Sequence, residues 1–515
     1  TLQHVSVLWT IDGDSNENGT VTVRYRSDGG PWREGTPLRR VPAGSLEGFS
    51  WPNRHAGTLF GLSPGTTYEI ELFLLDPDGG CEIRTLEATT RVRPTAVDGA
   101  RVLDATPATF TQVANAAAPG DVIALAPGNY ATFTFPKDGS EDAPIVILGD
   151  GGQGGVVVDG DVRLDGRAHV IVDGLTVHGQ IKFNGATGLA IVNNTVHATE
   201  DGIAMRTRGE NIYVADNTLS GPTEWSEAAL GVNGDNLGEG IILTGPGHVI
   251  EHNRVVGFRD AISLLEDGEA VDQFSIDILY NDIEVAADDG IEADFCVHNC
   301  RIIGNRLTNT FIALSSQPGL GGPTYFIRNS LYSVILSAFK LQRGSIGDVI
   351  WHNTVVKNGD ALGIYTPDVF ARQQFRNNLF LGGPGGEYGG WSSGSGRVID
   401  LDTADPSCDL DYDGYGSMTG SFEGNIGAIA FASLAELQAT TTEVHAVELG
   451  FDVFASAVAY PESPFPALSI PDLRVAPESA AIDAGVAIPG WNHAGSAPDL
   501  GAHELGEPLP DYGPR

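Results

Sequence analysis

The chain has 515 residues, 41% of them hydrophobic, enough for a large core and long for one domain. No apolar run reaches the roughly 18 residues that a membrane-spanning helix needs. A formal net charge of −38, from 29 Lys and Arg against 67 Asp and Glu, argues against nucleic acid and anionic membrane surfaces as partners and leaves solubility as its simplest role.

The chain opens on Thr1-Leu2-Gln3-His4 without a leader-like stretch, as expected of a cytosolic protein or a mature secreted one. Residues 1 to about 95 alternate apolar and polar positions in short runs, including Val5–Trp9, Thr20–Tyr25 and Thr67–Leu72, bounded by turn residues. That pattern predicts a small β-sandwich. Leu62-Ser63-Pro64-Gly65-Thr66-Thr67-Tyr68 resembles the corner of a fibronectin type III domain, which implies an accessory module. Asp12, Asp14, Asn16, Asn18 and Gly19 match part of a calcium loop, but Tyr25 stands where the closing Glu belongs, so a polar turn is expected.

A linker with Pro94 spans Arg91 to Ala100. Phe110 to Ala118 reads as a short amphipathic helix stopped by Pro119-Gly120, followed by Asp121-Val122-Ile123-Ala124-Leu125-Ala126-Pro127-Gly128-Asn129-Tyr130. This phrase resembles the N-terminal cap of right-handed parallel β-helix enzymes of the pectate-lyase type. A solenoid needs such a cap because its open end exposes core and unpaired strand edges.

A repeat then runs through Asn194, Asn217, Asn253, Asn281, Asn305, Asn329, Asn353 and Asn378, with spacings of 24 from Asn281 to Asn353. An apolar residue stands three places before each Asn, from Ile191 to Phe375, and another two places after, from Val196 to Phe380. The period admits a leucine-rich repeat or a β-helix. The residues before Asn253 and Asn353 lack the L-x-L of the former, so the fold expected is all-β: a parallel β-helix over residues 96–515 behind the sandwich of residues 1–95. The Asn row reads as a scaffold ladder. A third strand per coil follows an acid: Asp201, Glu239, Asp260, Asp289 and Asp360, each most simply a turn former. Pro222 to Leu237 is surplus to one coil and predicts a loop beside the helix that carries Trp225.

From about residue 381 the repeat gives way to an irregular closing segment. Asp409–Gly414 again matches part of a calcium loop, with Gly420 replacing the closing Glu. Ser433–Gln438 predicts a short helix. Ala480 to Glu504 resembles the closing segment of secreted parallel β-helix proteins and is expected to finish the solenoid. Of the four cysteines, Cys296 and Cys300 predict a loop disulfide and an oxidising compartment, hence secretion.

The chemistry is expected at Asp288-Asp289-Gly290-Ile291-Glu292-Ala293-Asp294. With Ile291, Ala293 and Phe295 turned inward, Glu292 and Asp294 point outward together, roughly 6.5–7 Å apart. An inverting glycosidase needs about 6.5–9.5 Å between its two carboxyls and a retaining one about 5–5.5 Å, so inversion fits better. Crowded carboxylates raise each other's pKa, as a general acid requires. Ser263 and Leu265 occupy the matching places one coil earlier, and Ala313 and Ser315 one coil later.

The run from Asp288 through Ser315-Ser316-Gln317-Pro318 and Phe339-Lys340 to Trp351-His352-Asn353 resembles a phrase of secreted β-helix proteins from bacterial polysaccharide-degrading repertoires. The resemblance implies glycan chemistry. The Arg-Ile-Lys of pectinase-type hydrolases is absent. The expected function is an endo-acting glycoside hydrolase on a long, sulfated or carboxylated polysaccharide, acting as a monomer without a required cofactor. Glu292 and Asp294 are the expected acid/base pair with Asp288 assisting. Gln317, Tyr325, Arg328, Lys340, His352 and Trp225 are the expected sugar contacts. A calcium-dependent lyase is the alternative, with Asp288, Asp289, Glu292 and Asp294 holding Ca2+, Lys340 as base, Tyr325 or His352 as acid, and Arg343 nearby. A non-catalytic glycan-binding solenoid is the third reading.

Overall fold

The computed structural model describes residues 1–515. A 13-stranded and a 17-stranded parallel sheet run side by side along a right-handed parallel β-helix from about residue 102 to 448. Each coil passes from one sheet to the other through the Asn corner. Every Asn of the repeat is buried and donates its side-chain N–H to the next side chain in the row: Asn281 Nδ2 to Asn305 Oδ1 at 3.0 Å, Asn305 to Asn329 at 3.0 Å, Asn329 to Asn353 at 3.0 Å. The row ends at Asn378, which donates to Asp413 Oδ1 at 2.8 Å. The apolar residues on either side of each Asn fill the main core, from Ile191 and Val196 to Phe375 and Phe380. The helix Phe110–Ala116 covers the first coil with Phe110 and Ala114 buried.

The N-terminal residues form a separate six-stranded antiparallel sheet. Its strand Arg33–Val41 pairs with Thr20–Ser27 through one half and with Arg54–Leu59 through the other, so the sheet folds over an apolar core that includes Val7, Val21, Val23 and Ile70. At the predicted corner, Ser63 N–H donates to Tyr68 Oη at 2.9 Å. Asp14 Oδ1 accepts Gly19 N–H at 3.2 Å, and Asn16 and Asn18 both donate to Asp78, so the Asp12–Gly19 stretch is a polar turn.

This module docks along the 13-stranded sheet. His4 Nδ1 lies 3.0 Å from the fully buried Asp277, which also pairs with Arg301. Arg54 Nη2 donates to Val297 O at 3.0 Å, and Thr58 Oγ1 to Asn299 Oδ1 at 3.1 Å. Phe60 packs edge-on against Tyr325 at 5.1 Å.

The end of the chain departs from expectation. The last coil is closed by strands Asp409–Asp411, Gly414–Ser417 and Val447–Glu448 and by the helix Leu434–Thr440, which Ser433 caps by accepting Glu436 N–H. Asp409 pairs with Arg376, and Asp411 Oδ2 lies 2.9 Å from His445 Nδ1. The segment from Ala480 onward does not stack as a coil. It runs back along the Asn corner: Ala502 N–H donates to Thr354 Oγ1 at 2.9 Å, Glu504 pairs with Arg328 at 2.8 Å, Gly513 N–H donates to Tyr280 O at 3.0 Å, and Arg515 pairs with Asp216 at 2.7 Å. The Cys296–Cys300 disulfide is present.

Candidate active site

The third strand of each coil belongs to the 17-stranded sheet, and its outward residues build an acidic floor. In one row Glu239 sits beside Asp260, and Asp260 Oδ1 accepts Asp289 N–H at 2.7 Å. In the next row Ile242, Ser263, Glu292, Ser315 and Lys340 are direct neighbours across five coils. The small Ser263 and Ser315 leave room on both sides of Glu292. Lys340 therefore reaches back over Ser315 to Asp289, and its Nζ lies 3.9 Å from Glu292 Oε1. Asp288 stands at the bend before this strand, 3.7 Å from Arg259.

The strand ends at Glu292 rather than continuing. Ile291 and Ala293 enter the core as expected, but Phe295 turns outward at φ +52° and packs with Phe49, Val41 and Trp51 of the N-terminal module. The register also differs by two from expectation: Glu292 pairs with Ser315, whereas Ala313 is a core residue. Asp294 sits in the turn, where Ser315 Oγ donates to its Oδ1 at 2.7 Å and Gln317 N–H at 2.8 Å. Its Oδ2 is buried without a partner. Glu266, Glu292 and Asp294 each offer an oxygen, all within 4.8 Å of one another, and Glu239, Asp260 and Glu292 form a second such group. The separation expected from strand geometry is thus shortened, because the turn folds Asp294 back toward Glu292.

Burial dominates the electrostatics. It pushes the Glu292 carboxyl well above the usual carboxylate range, with Asp260, Asp289 and Asp294 adding to the rise. Asp260 rises likewise through burial and then Glu239. Asp288 is pushed up to about 7 by burial and by Asp289. Asp294 is pushed up to about 8 by burial, against Lys340 and with Glu266 and Asp289. Burial would lower the Lys340 ammonium, but Asp289, Asp294 and Glu292 outweigh it and hold it protonated well above its ordinary range. The floor therefore holds several shared protons at neutral pH. Asp288 and Glu292 each keep 7% exposure, while Asp289 and Asp294 have none.

Two walls flank this floor. On one side, the loop Pro222 to Leu237 lies over the bend, with Gly231 N–H donating to Ala287 O at 2.8 Å. Trp391 stands against it, 37% exposed and edge-on to Phe311 at 5.2 Å. On the other side are the hairpin Gly44–Trp51 and the loop that carries Glu266.

The expected sugar contacts divide. Gln317 and Lys340 lie at the floor. Tyr325, Arg328 and His352 do not: they belong to the 13-stranded sheet and the Asn corner. Tyr325 is buried between Phe60 and Trp351, Arg328 is bound by Glu504, and His352 is 2% exposed against Asn377 at 3.0 Å. Nothing in the period of the repeat marks that face as one covered by a module and a returning tail. Trp225 is in the wall, but Phe465 covers its ring at 5.1 Å and its Nε1–H donates to Pro464 O at 2.8 Å; Trp391 is the exposed aromatic instead. The expected calcium set also changes. Asp289 is taken by Lys340 and Asp288 faces Arg259, leaving Glu266, Glu292 and Asp294, and Glu239, Asp260 and Glu292, as the all-oxygen groups that fit a hard divalent cation. Glu239, Asp260, Arg259 and Glu266 were not expected at the site. The first two repeat the turn acid of other coils, which hides them in the sequence.

No family model and no curated protein sequence matches the chain. Among solved structures it is similar to a PL6 family alginate lyase, AlyGC, with a TM-score of 0.37 and 16% identity over 65% of this chain and 50% of that one. It is similar to the polygalacturonase from Erwinia carotovora ssp. carotovora at a TM-score of 0.33 and 12% identity, over 63% of this chain and 96% of that one. It is also similar to a mannuronic acid specific polysaccharide family 6 lyase from human gut microbiota, at a TM-score of 0.34 and 11% identity over 64% and 82% of the two chains. The chain spans about half the length of the first of these.

Proposed function

We propose that the protein is a polysaccharide-degrading enzyme that hydrolyses glycosidic bonds, with Glu292 as the proton donor. The reading rests on one observation: Glu292 is an outward carboxyl between two serines, kept protonated by burial and by Asp260, Asp289 and Asp294. In this reading Glu292 gives its proton to the departing glycosidic oxygen. Asp294 has no exposed surface, so it acts on Glu292 by sharing its proton rather than on the sugar. Asp288 is the other carboxyl with exposed surface, and as the carboxylate it accepts the proton that the attacking water gives up. Lys340, held protonated, hydrogen-bonds a substrate hydroxyl or acidic group. Trp391 offers a ring face for stacking a sugar. Action outside the cell fits both an extended polymer and the Cys296–Cys300 disulfide.

A second reading, β-elimination on a polyuronate, is favoured by the oxygen group Glu266, Glu292 and Asp294. A divalent cation held there would acidify the proton beside a uronate carboxylate. Against it stands Lys340, which as an ammonium paired to Asp289 has no lone pair to accept that proton.

Digestion of a panel of neutral, carboxylated and sulfated polysaccharides separates the two. Hydrolysis gives new reducing ends without an unsaturated uronide. Unsaturated products that disappear with chelator overturn the hydrolase reading, and binding without any cleavage overturns both.

A further inference from the structure

The N-terminal module contacts residues that flank the acidic floor. Its hairpin pairs Gly44–Leu46 with Phe49–Trp51 through the two-residue turn Glu47-Gly48, both at positive φ (+49° and +84°). This is the geometry of a tight type I′ turn, which aims its tip rigidly. Beyond the tip, Phe49 packs on Phe295 at 5.5 Å, and Phe295 follows Asp294 in the chain. Glu47 Oε2 lies 2.9 Å from Arg343 Nη2, and the same guanidinium lies 2.6 Å from Asp267 Oδ1, the residue after Glu266. Arg343 also sits over the Phe295 ring at 5.0 Å. One hairpin therefore touches the supports of Asp294 and of Glu266, the two carboxyls grouped with Glu292.

From these contacts we infer that the N-terminal module completes the active site, with Phe49 and Arg343 as positioning residues. They hold the Asp294–Phe295 turn and the Glu266 loop at the spacing Glu292 requires. This deepens the catalytic reading above and rests on it. The aromatic contact is the anchor. The ion pairs are partly exposed, with side-chain exposures of 27% for Arg343, 36% for Glu47 and 63% for Asp267, and pairs of that kind contribute direction more than energy. A module that served only to bind polymer would have no need to reach this turn.

The test uses the full chain with Phe49→Ala, Phe49→Leu, Glu47→Gln and Arg343→Lys, and with Glu17→Gln as control. Glu17 pairs with Arg372 and so removes a different docking contact of the same module. On a polysaccharide that the wild type cleaves, Phe49→Ala is expected to lower kcat about tenfold with KM within about twofold, the signature of lost positioning. Phe49→Leu, which keeps an apolar contact, and Arg343→Lys, which keeps the charge, should each retain most of the wild-type kcat, and Glu17→Gln should change neither constant. Hydrogen exchange provides a readout independent of turnover: amides of 264–271 and 293–297 should exchange faster in Phe49→Ala and in Glu47→Gln, and not in the control. Unchanged exchange in those segments overturns the inference, as does a rise in KM at constant kcat, which makes the hairpin a substrate wall only. If no polysaccharide is cleaved, the hydrolase reading fails and the exchange result alone decides the positioning.

Discussion

Lys340 and Asp289 are joined by an ion pair that spans two coils, with the carboxylate fully buried and the ammonium side chain 11% exposed. The chain has only four lysines, and this one lies at the centre of its densest group of carboxyls. The pair sets the charge state of the floor. Around it, burial and mutual repulsion raise the pKa of Glu292, Asp294, Asp288 and Asp260.

Replacing Lys340 by Met should destabilise the protein by about 3–5 kcal/mol, because it strands a buried anion. Adding Asp289→Asn should recover most of that loss. Chemical denaturation of the single and double variants checks both. Equal stability of Lys340→Met and wild type would show that the ion pair does not hold in solution.

Glu292→Gln should lower kcat by about 10²- to 10⁴-fold, the range for loss of a general acid. It should leave stability equal or higher, since an amide has no buried charge to form. Asp294→Asn keeps acceptors for Ser315 and Gln317, so it should fold normally and lose less activity. A full-rate Glu292→Gln enzyme would remove Glu292 from the mechanism.

The coil architecture was legible because it depends on local repetition: an Asn in every coil, with apolar residues three before and two after, fits a stack of short strands around one buried corner and little else. Glu292 stood out for a related reason, since the places expected beside it in the stack, Ser263 and Ala313, carry small uncharged residues. What was hidden depended on contacts far apart in sequence. Tyr325 and His352 read as groove residues until the module and the returning tail covered their face. Trp391 sits in a Gly-rich loop with no periodicity to place it. Asp260 repeated the turn acid, and only the approach of the next coil made it part of the cluster.

Stability should fall as pH rises from about 6.5 to about 8, above the range in which buried histidines such as His248, His298 and His503, held below their ordinary pKa by burial, act in the opposite direction. The sign follows from linkage: for a carboxyl whose folded pKa is raised, the native state keeps a proton that the unfolded chain has released. Each such group lowers stability by about 1.4 kcal/mol per pH unit between its unfolded and folded pKa. Asp288 at about 7 and Asp294 at about 8 set the window at the floor, and Asp413 at about 7, raised by burial, adds to it at the end of the Asn row. Lys340 does not offset this. Its raised pKa contributes stability that is fully present throughout this range, because the unfolded lysine is protonated there too. Denaturation midpoints at pH 6.5 and pH 8 measure the slope, and a midpoint higher at pH 8 contradicts the assignment.

Position within the Asn row should govern how much each Asn matters. Asn305 Oδ1 accepts both N–H and Nδ2–H of Asn281, at 2.9 and 3.0 Å, and its own Nδ2 donates to Ile278 O and Asn329 Oδ1. Asn305→Ala strands several polar groups with no access to water, each at about 1–3 kcal/mol. Asn194, at the start of the row, has no Asn side chain donating to it; its Oδ1 accepts from Leu175 N–H at 2.9 Å. Asn194 Nδ2 also donates to Val172 O, Val192 O and Asn217 Oδ1, so Asn194→Ala breaks one link between Asn side chains where Asn305→Ala breaks two, and it should destabilise the protein measurably less than Asn305→Ala. Equal losses in the two variants would mean that the ladder acts through its backbone bonds, with the links between side chains contributing nothing.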